Sequence, residues 1–424
     1  MSALLASELV ELLPDADALR SYLYLQFVPG DATVLRDVRR LLPGHSLTIR
    51  QGRVERPRPF WRFPTMPDEG AASGSTSTSS RSASFEESVS RTREVFARSI
   101  ERHLRSDVEL AVFLSGGFDS SLVLGEVSRQ RSSPIRAYSI AMDAEGAWDE
   151  SEHARAAAER FGADLEILRF GPKEIAELLP RIGVAMDEPL GDAAALPTLL
   201  LSRFAARDVK VVLTGEGADE LFAGYDYYAS FAGRGALRPG LGERLRERAR
   251  ALARKIATPR AALPWHAGCS ANSGFPYALH ETRIEALLRE VPSADGVCPR
   301  ARARTREEAV VASAPNRDAL ASALRVDASA WLPDDLLVKL DRCTMAHSLE
   351  GRVPFLDREL VELASTMPSA HKHDGTTVKR VLRAAFAELL GPLAKRRKHG
   401  FDLPMGDWIR GGLSPAFEAR LGRA

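Results

Sequence analysis

The stretch Ala111-Val112-Phe113-Leu114-Ser115-Gly116-Gly117-Phe118-Asp119-Ser120-Ser121 decides how the rest of the chain reads. Four apolar residues read as the end of a buried strand. Ser-Gly-Gly then turns sharply, and Leu122-Val123-Leu124 begins a helix. A Gly-rich turn at such a junction aims backbone N–H groups at one spot, and the helix N-terminus adds partial positive charge. That geometry suits a pyrophosphate. Asp119 follows where its carboxylate can hold Mg²⁺ on the same phosphates. No Lys-Ser/Thr follows the glycines, so this is not a nucleotide loop of the Gly-x4-Gly-Lys kind. The bland alternative is a strand–helix turn with no ligand.

On either side, strands alternate with helices. Ser84 can cap a helix, with Glu87 three residues on, and Phe85, Val89, Thr92, Phe96, Ile100 and Leu104 recur at helical spacing. Strands are expected over 108–114, 135–142, 164–170 and 209–213, with helices over 150–161, 172–184 and 193–206. This order predicts an α/β fold with a doubly wound parallel sheet. Ligands of such sheets sit beyond the carboxyl ends of the strands. The Ser-Gly-Gly turn follows one such end and Thr214-Gly215-Glu216-Gly217 another.

Gly215-Glu216-Gly217-Ala218-Asp219-Glu220-Leu221-Phe222-Ala223-Gly224-Tyr225 is the second informative segment. Three acids within five residues are costly to leave unpaired. A second Mg²⁺ ligand beside Asp119 explains Asp219, and Glu216 is then placed to act on a substrate as acid or base. The competing reading is a helix start whose acids the helix dipole favours.

Elsewhere the signal is weaker. Residues 1–65 carry a short helix at 18–25, a strand at 46–50 and a turn at Gln51-Gly52, too little for a stable domain alone. The Ser-, Thr- and Gly-rich run 66–84 reads as a flexible linker. The stretch 229–320 is rich in Arg, Ala, Leu and Glu and predicts a helical subdomain. Helices are expected over 324–331, 336–343, 358–365 and 378–389. The basic run 395–399 either ends a helix at the surface or flanks phosphates.

The 424 residues carry a formal net charge of +1, which gives no broad field for nucleic acid or an acidic membrane. Cys269, Cys298 and Cys343 lack metal-ligand spacing, and a sparse, odd set fits a reducing compartment. The apolar start is interrupted by Glu8 and Glu11 and makes a poor signal peptide. A cytoplasmic protein is the expectation.

The pattern Ser-Gly-Gly-x-Asp-Ser resembles the PP-loop of ATP pyrophosphatases, which cleave ATP between the α and β phosphates. Together with the second segment it resembles the synthetase domain of class B, glutamine-dependent asparagine synthetases. Further matches are Asp187-Glu188-Pro189, the segment Trp331-Leu332-Pro333-Asp334-Asp335-Leu336-Leu337-Val338-Lys339, and Leu349-Glu350-Gly351-Arg352-Val353-Pro354-Phe355-Leu356-Asp357. The resemblance implies that Leu114, Ser115, Met142 and Gly215 hold AMP. It implies that Ser115, Gly116, Gly117, Asp119 and Ser120 hold pyrophosphate. Asp119 and Asp219 would bind Mg²⁺, Glu216 would assist at an acyl-adenylate, and Lys379 would stabilise charge on the phosphates. Glu220, Glu350 and Arg352 are candidates on the substrate side.

The family's N-terminal glutaminase domain uses an N-terminal cysteine; here Met1 is followed by Ser2, and no cysteine precedes Cys269. Residues 1–65 resemble the tail of that domain in Phe27-Val28-Pro29-Gly30 and Leu42-Pro43-Gly44-His45. The expectation is a glutaminase remnant (1–65), a linker (66–84) and a synthetase domain (85–424) that cannot hydrolyse glutamine itself. Gly351 stands where the family often has Ala or Val. Three readings stay open. One is an ATP-dependent amide synthetase using a small-molecule or peptide carboxylate, with ammonia free or from a separate glutaminase chain. A second is a cyclase of the β-lactam or lasso-peptide macrolactam type using a substrate amine. The third is a non-catalytic ATP-binding subunit.

Overall fold

A computed structural model describes residues 1–64, 83–142, 151–232, 318–396 and 403–413. Its centre is a parallel five-stranded sheet. The strands are β1 (Leu110–Phe113), β2 (Arg136–Met142), β3 (Asp164–Phe170), β4 (Val211–Leu213) and β5 (Glu350–Arg352). Their spatial order is β3-β2-β1-β4-β5. The α/β parallel class expected from the alternating pattern is therefore the one observed.

β1 is buried on both faces, because alternate residues feed different cores. Leu110, Val112 and Leu114 pack with Phe96, Ile100, Leu122 and Phe355, whereas Ala111 and Phe113 pack with Tyr138, Leu201 and Val212. The period-2 alternation of a strand thus serves helices on opposite sides. On the first side lie helices Phe85–His103, Phe118–Gln130 and Ser151–Phe161; on the second lie Pro172–Met186 and Ala195–Ala205. Ser84 caps its helix by accepting from the Glu87 N–H at 3.1 Å.

The chain winds outward from β1 to β3, returns beneath the sheet, and enters β4 on the other side of β1. The winding direction therefore reverses between β1 and β4, which pair with Val112 opposite Leu213. The loops after these two strands leave from adjacent carboxyl ends, the place where open α/β sheets hold ligands.

Three expectations need correction. β5 was not anticipated: Glu350-Gly351-Arg352 is short and polar, and it becomes a strand by parallel pairing with β4. The helix expected over 378–389 is broken into Arg380–Ala385 and Ala387–Leu390, with Lys379 before it in a left-handed conformation, φ +51°. The helix expected over 324–331 is Ala319–Val326 followed by a widened π-helical stretch, Asp327–Leu336, which contains Pro333.

Residues 1–64 bury Phe27 and Val28 and are tied to the rest through the Gln26 carbonyl, which accepts from the Gly191 N–H at 2.7 Å, and through the Gly30 N–H, which donates to Asp334 Oδ2 at 2.7 Å. Their strand at 46–50 divides into His45–Ser46, paired with Arg58–Pro59, and Ile49–Arg50, paired with Arg53–Val54 around Gln51-Gly52. The linker, apart from residues 83 and 84, and most of the 229–320 subdomain lie outside the described residues. No helix among the described residues is long and apolar enough to cross a membrane.

Candidate active site

The turn after β1 forms a cradle. Gly116 adopts φ +70°, and a Cβ there would stand 2.4 Å from the Ala154 backbone nitrogen. Only glycine combines that conformation with that approach. Gly117 precedes the 13-residue helix Phe118–Gln130, so the helix N-terminus faces the turn. Ser115 Oγ accepts from the Gly117 N–H at 3.2 Å and lies 3.0 Å from Ser120 Oγ, which fixes both hydroxyls at the mouth.

The second segment meets the first directly. A Cβ on Gly215 would stand 2.9 Å from Asp119 Cβ and 3.0 Å from the Ser120 nitrogen. Gly217, at φ +88°, leads into the short helix Ala218–Phe222, which carries Asp219. Lys379 arrives from the far end of the chain. Its Nζ lies 2.5 Å from Asp119 Oδ2 and 2.6 Å from Asp219 Oδ1, with the three side chains only 3%, 14% and 9% exposed. A left-handed backbone at Lys379 is strained for a side-chain-bearing residue, and such strain gathers at functional sites.

All three segments line one cavity of about 260 Å³. Leu114, Ser115, Gly117, Asp119, Ser120, Met142, Gly215, Glu216, Asp219 and Lys379 border it. Phe113, Ile140, Pro197 and Leu201 add an apolar wall. Gly116 belongs to the turn but does not itself border the cavity. Other predicted residues are elsewhere. Glu220 is buried beneath Asp219, where Tyr225 Oη donates to its Oε1 at 2.5 Å. Burial and the Asp219 charge push its carboxyl up to about 8. Glu350 is exposed, and Arg352 donates to the carbonyls of His103 and Arg105 at 2.6 and 2.8 Å. These three do not border the cavity.

The structure also brings in residues that the sequence reading did not select. Lys339 borders the cavity, is buried, and donates to Asp192 Oδ2 at 2.7 Å. Burial would lower its pKa, but the carboxylates of Asp192, Glu216 and Asp335 outweigh that and hold it above the ordinary lysine range. Asp335 is pushed up to about 7, first by burial and then by the Asp192 charge. Arg383 and Arg396 also border the cavity. Arg396 comes from the basic run; residues 397–399 of that run lie outside the described residues. Gly224 is the least expected: a Cβ there would stand 1.8 Å from Asp219 Oδ1 and 2.2 Å from Lys379 Cε. Gly224 and Arg383 lie inside segments matched to the family, which was the available signal.

Among the described residues no group of three or more His, Cys, Asp or Glu side chains is placed to hold a metal. Asp119 and Asp219 nevertheless face one point, where the Lys379 ammonium now lies. Two hard carboxylates at one point fit Mg²⁺, which usually takes one or two protein carboxylates and completes its shell with phosphate and water.

The asparagine synthase family model matches residues 91–424. A putative glutamine-hydrolyzing asparagine synthetase of Mycobacterium tuberculosis (strain ATCC 25618 / H37Rv) is 34% identical over 404 residues, covering 94% of this chain and 59% of that protein. Asparagine synthetase [glutamine-hydrolyzing] 1 of Bacillus subtilis (strain 168) is 29% identical, covering 93% and 60%. This chain thus spans about three-fifths of the length of these relatives. An NH3-dependent NAD synthetase from Campylobacter jejuni is a weak structural likeness, with 14% identity, TM-score 0.25, and coverage of 53% of this chain and 95% of that one. On the family match, which takes in most of its length, the chain belongs to the asparagine synthase family.

Proposed function

We propose that this chain joins a carboxylate to an amine through an acyl-adenylate. A carboxylate oxygen attacks the α-phosphorus of ATP, the bond to the bridging oxygen breaks, and pyrophosphate leaves. The amine nitrogen then attacks the acyl carbon, loses a proton, and displaces AMP. The observation that carries the reading is the meeting of three distant segments on one cavity: the cradle after β1, the acid segment after β4, and Lys379.

Each group has a part in that scheme. The Gly117 backbone, Ser115 and Ser120 bind the departing phosphates at the helix N-terminus, where negative charge is favoured. Leu114, Met142 and Gly215 border the adenosine side. Lys379 sits where charge builds up on the phosphates, and a fixed cation there needs no reorganisation during the reaction. Glu216, on the cavity wall, takes the proton from the attacking amine. Asp119 and Asp219 would hold Mg²⁺, which when bound supplies positive charge to the phosphate oxygens. Lys339, fixed by Asp192, sets the charge at the Glu216 end.

The amine is ammonia, either free or delivered by a separate glutaminase chain. The test is to screen aspartate, other acids and peptides for pyrophosphate release, with and without ammonium. Acid-dependent release of AMP and pyrophosphate, with amide formed only when ammonium is present, supports the proposal. Amide formed without added ammonium favours the cyclase reading. Release of ADP instead of AMP overturns the adenylation.

A further inference from the structure

Charge bookkeeping at the cradle leaves a gap. Lys379 lies between Asp119 and Asp219, so these three groups together carry a formal charge of −1. Even with Mg²⁺ on the two aspartates, the charge at this point would fall well short of that on the polyphosphate of ATP, and backbone amides and a helix terminus supply only partial charges. Among the described residues, three further cations border the same cavity; Lys339 is paired with Asp192, and the other two are Arg383 and Arg396.

Their hydrogen bonds divide the work. Arg383 donates through Nε to the Val378 carbonyl at 2.9 Å, through Nη1 to the Ala394 carbonyl, and through Nη2 to the Arg396 carbonyl at 2.8 Å. Its guanidinium also lies over the Phe118 ring, 5.0 Å from the centroid. Arg383 therefore ties the turn that carries Lys379 to the segment that carries Arg396, and presses both on the first residue of the cradle's helix. Arg396, by contrast, reaches into the cradle and donates through Nη1 to the Gly116 carbonyl. A guanidinium there sets a planar fork of donors at the mouth, the geometry that suits phosphate oxygens.

We infer that Arg396 grips the β and γ phosphates of ATP, and the pyrophosphate they become, and that Arg383 is the positioning residue that holds Arg396 and Lys379 over the cradle. This rests on the adenylating reading and extends it to two residues from the C-terminal part of the chain. The Gly116 carbonyl holds the Arg396 guanidinium beside the turn, at the border of the cavity.

The test measures binding of AMP, Mg·ATP and Mg·pyrophosphate to the wild-type chain, Arg396→Ala, Arg396→Lys and Arg383→Lys by calorimetry, with ATP–pyrophosphate exchange in parallel. Losing one charge-assisted contact costs roughly a factor of ten to a hundred in affinity. Arg396→Ala should lose that factor for pyrophosphate and ATP and keep AMP binding, which also shows that it folds. Arg396→Lys should recover part of the loss. Arg383→Lys cannot span three carbonyls, so it should weaken pyrophosphate binding and lower the exchange kcat together through Lys379. Unchanged pyrophosphate affinity in Arg396→Ala, with the wild type binding normally, overturns this inference alone. A wild type that binds neither ATP nor pyrophosphate removes the adenylating reading as well.

Discussion

Gly224 and Lys379 are in such close approach that a single methyl group would part them: a Cβ on Gly224 would stand 2.2 Å from Lys379 Cε. The same Cβ would meet Asp219 Oδ1 at 1.8 Å, so the ion pair between Lys379 and Asp219 exists only because residue 224 has no side chain. Gly224→Ala is expected to displace the ammonium while the sheet remains folded. A displacement of about 1 Å at a reacting centre costs on the order of 10²-fold in rate. Exchange kinetics beside a circular dichroism spectrum check this; full activity would mean that Lys379 is not needed where it lies.

The ion pair also bears on stability. Lys379→Met leaves Asp119 and Asp219 facing each other, little exposed and without their ammonium. Breaking a buried pair from one side costs about 3–5 kcal/mol. Adding Asp219→Asn removes one of the opposed charges and should recover much of that loss, while activity stays absent. Urea denaturation of the two variants checks the prediction. No recovery in the double variant would show that the destabilisation comes from lost packing instead.

Glu220 gives a pH dependence with a defined sign. Its folded value, about 8, lies above the ordinary 4.5 because of burial and the Asp219 charge. The folded protein keeps a proton that the unfolded chain releases. This contribution to stability is fully present below 4.5 and is lost as pH rises through about 8. Glu220→Gln does not titrate and can still accept from Tyr225. The wild type should therefore lose more stability than Glu220→Gln between about pH 5 and pH 8. Thermal melts at both pH values check this, and parallel losses would contradict it.

The two segments that build the site were legible because their chemistry is local. Ser115-Gly116-Gly117 must turn tightly between a strand and a helix, and Asp119 and Asp219 follow within a few residues of their glycines. The sheet was legible for the same reason: β1 to β4 are apolar or alternating. β5 was not, because Glu350-Gly351-Arg352 has no strand pattern and pairs only when β4 is already in place. Lys379 looked like a helix residue, since its neighbours Val378 and Val381-Leu382 have helical spacing. Its left-handed turn is imposed by the two carboxylates and by the Arg383 bond to Val378. Arg396 and Lys339 depend on contacts 280 and 147 residues away along the chain, which no local pattern records. Arg352 belongs to a motif that the resemblance places toward the substrate, but its guanidinium is held by the backbone carbonyls of His103 and Arg105.

The most direct measurement is ATP–pyrophosphate exchange across a panel of carboxylic acids, comparing the wild type with Asp119→Ala and Glu216→Ala. The account predicts exchange that depends on one class of acid, disappears in Asp119→Ala, and persists in Glu216→Ala, which loses only the amide-forming step. Undiminished exchange in Asp119→Ala, or a wild type that converts ATP to ADP with every acid tried, would contradict it.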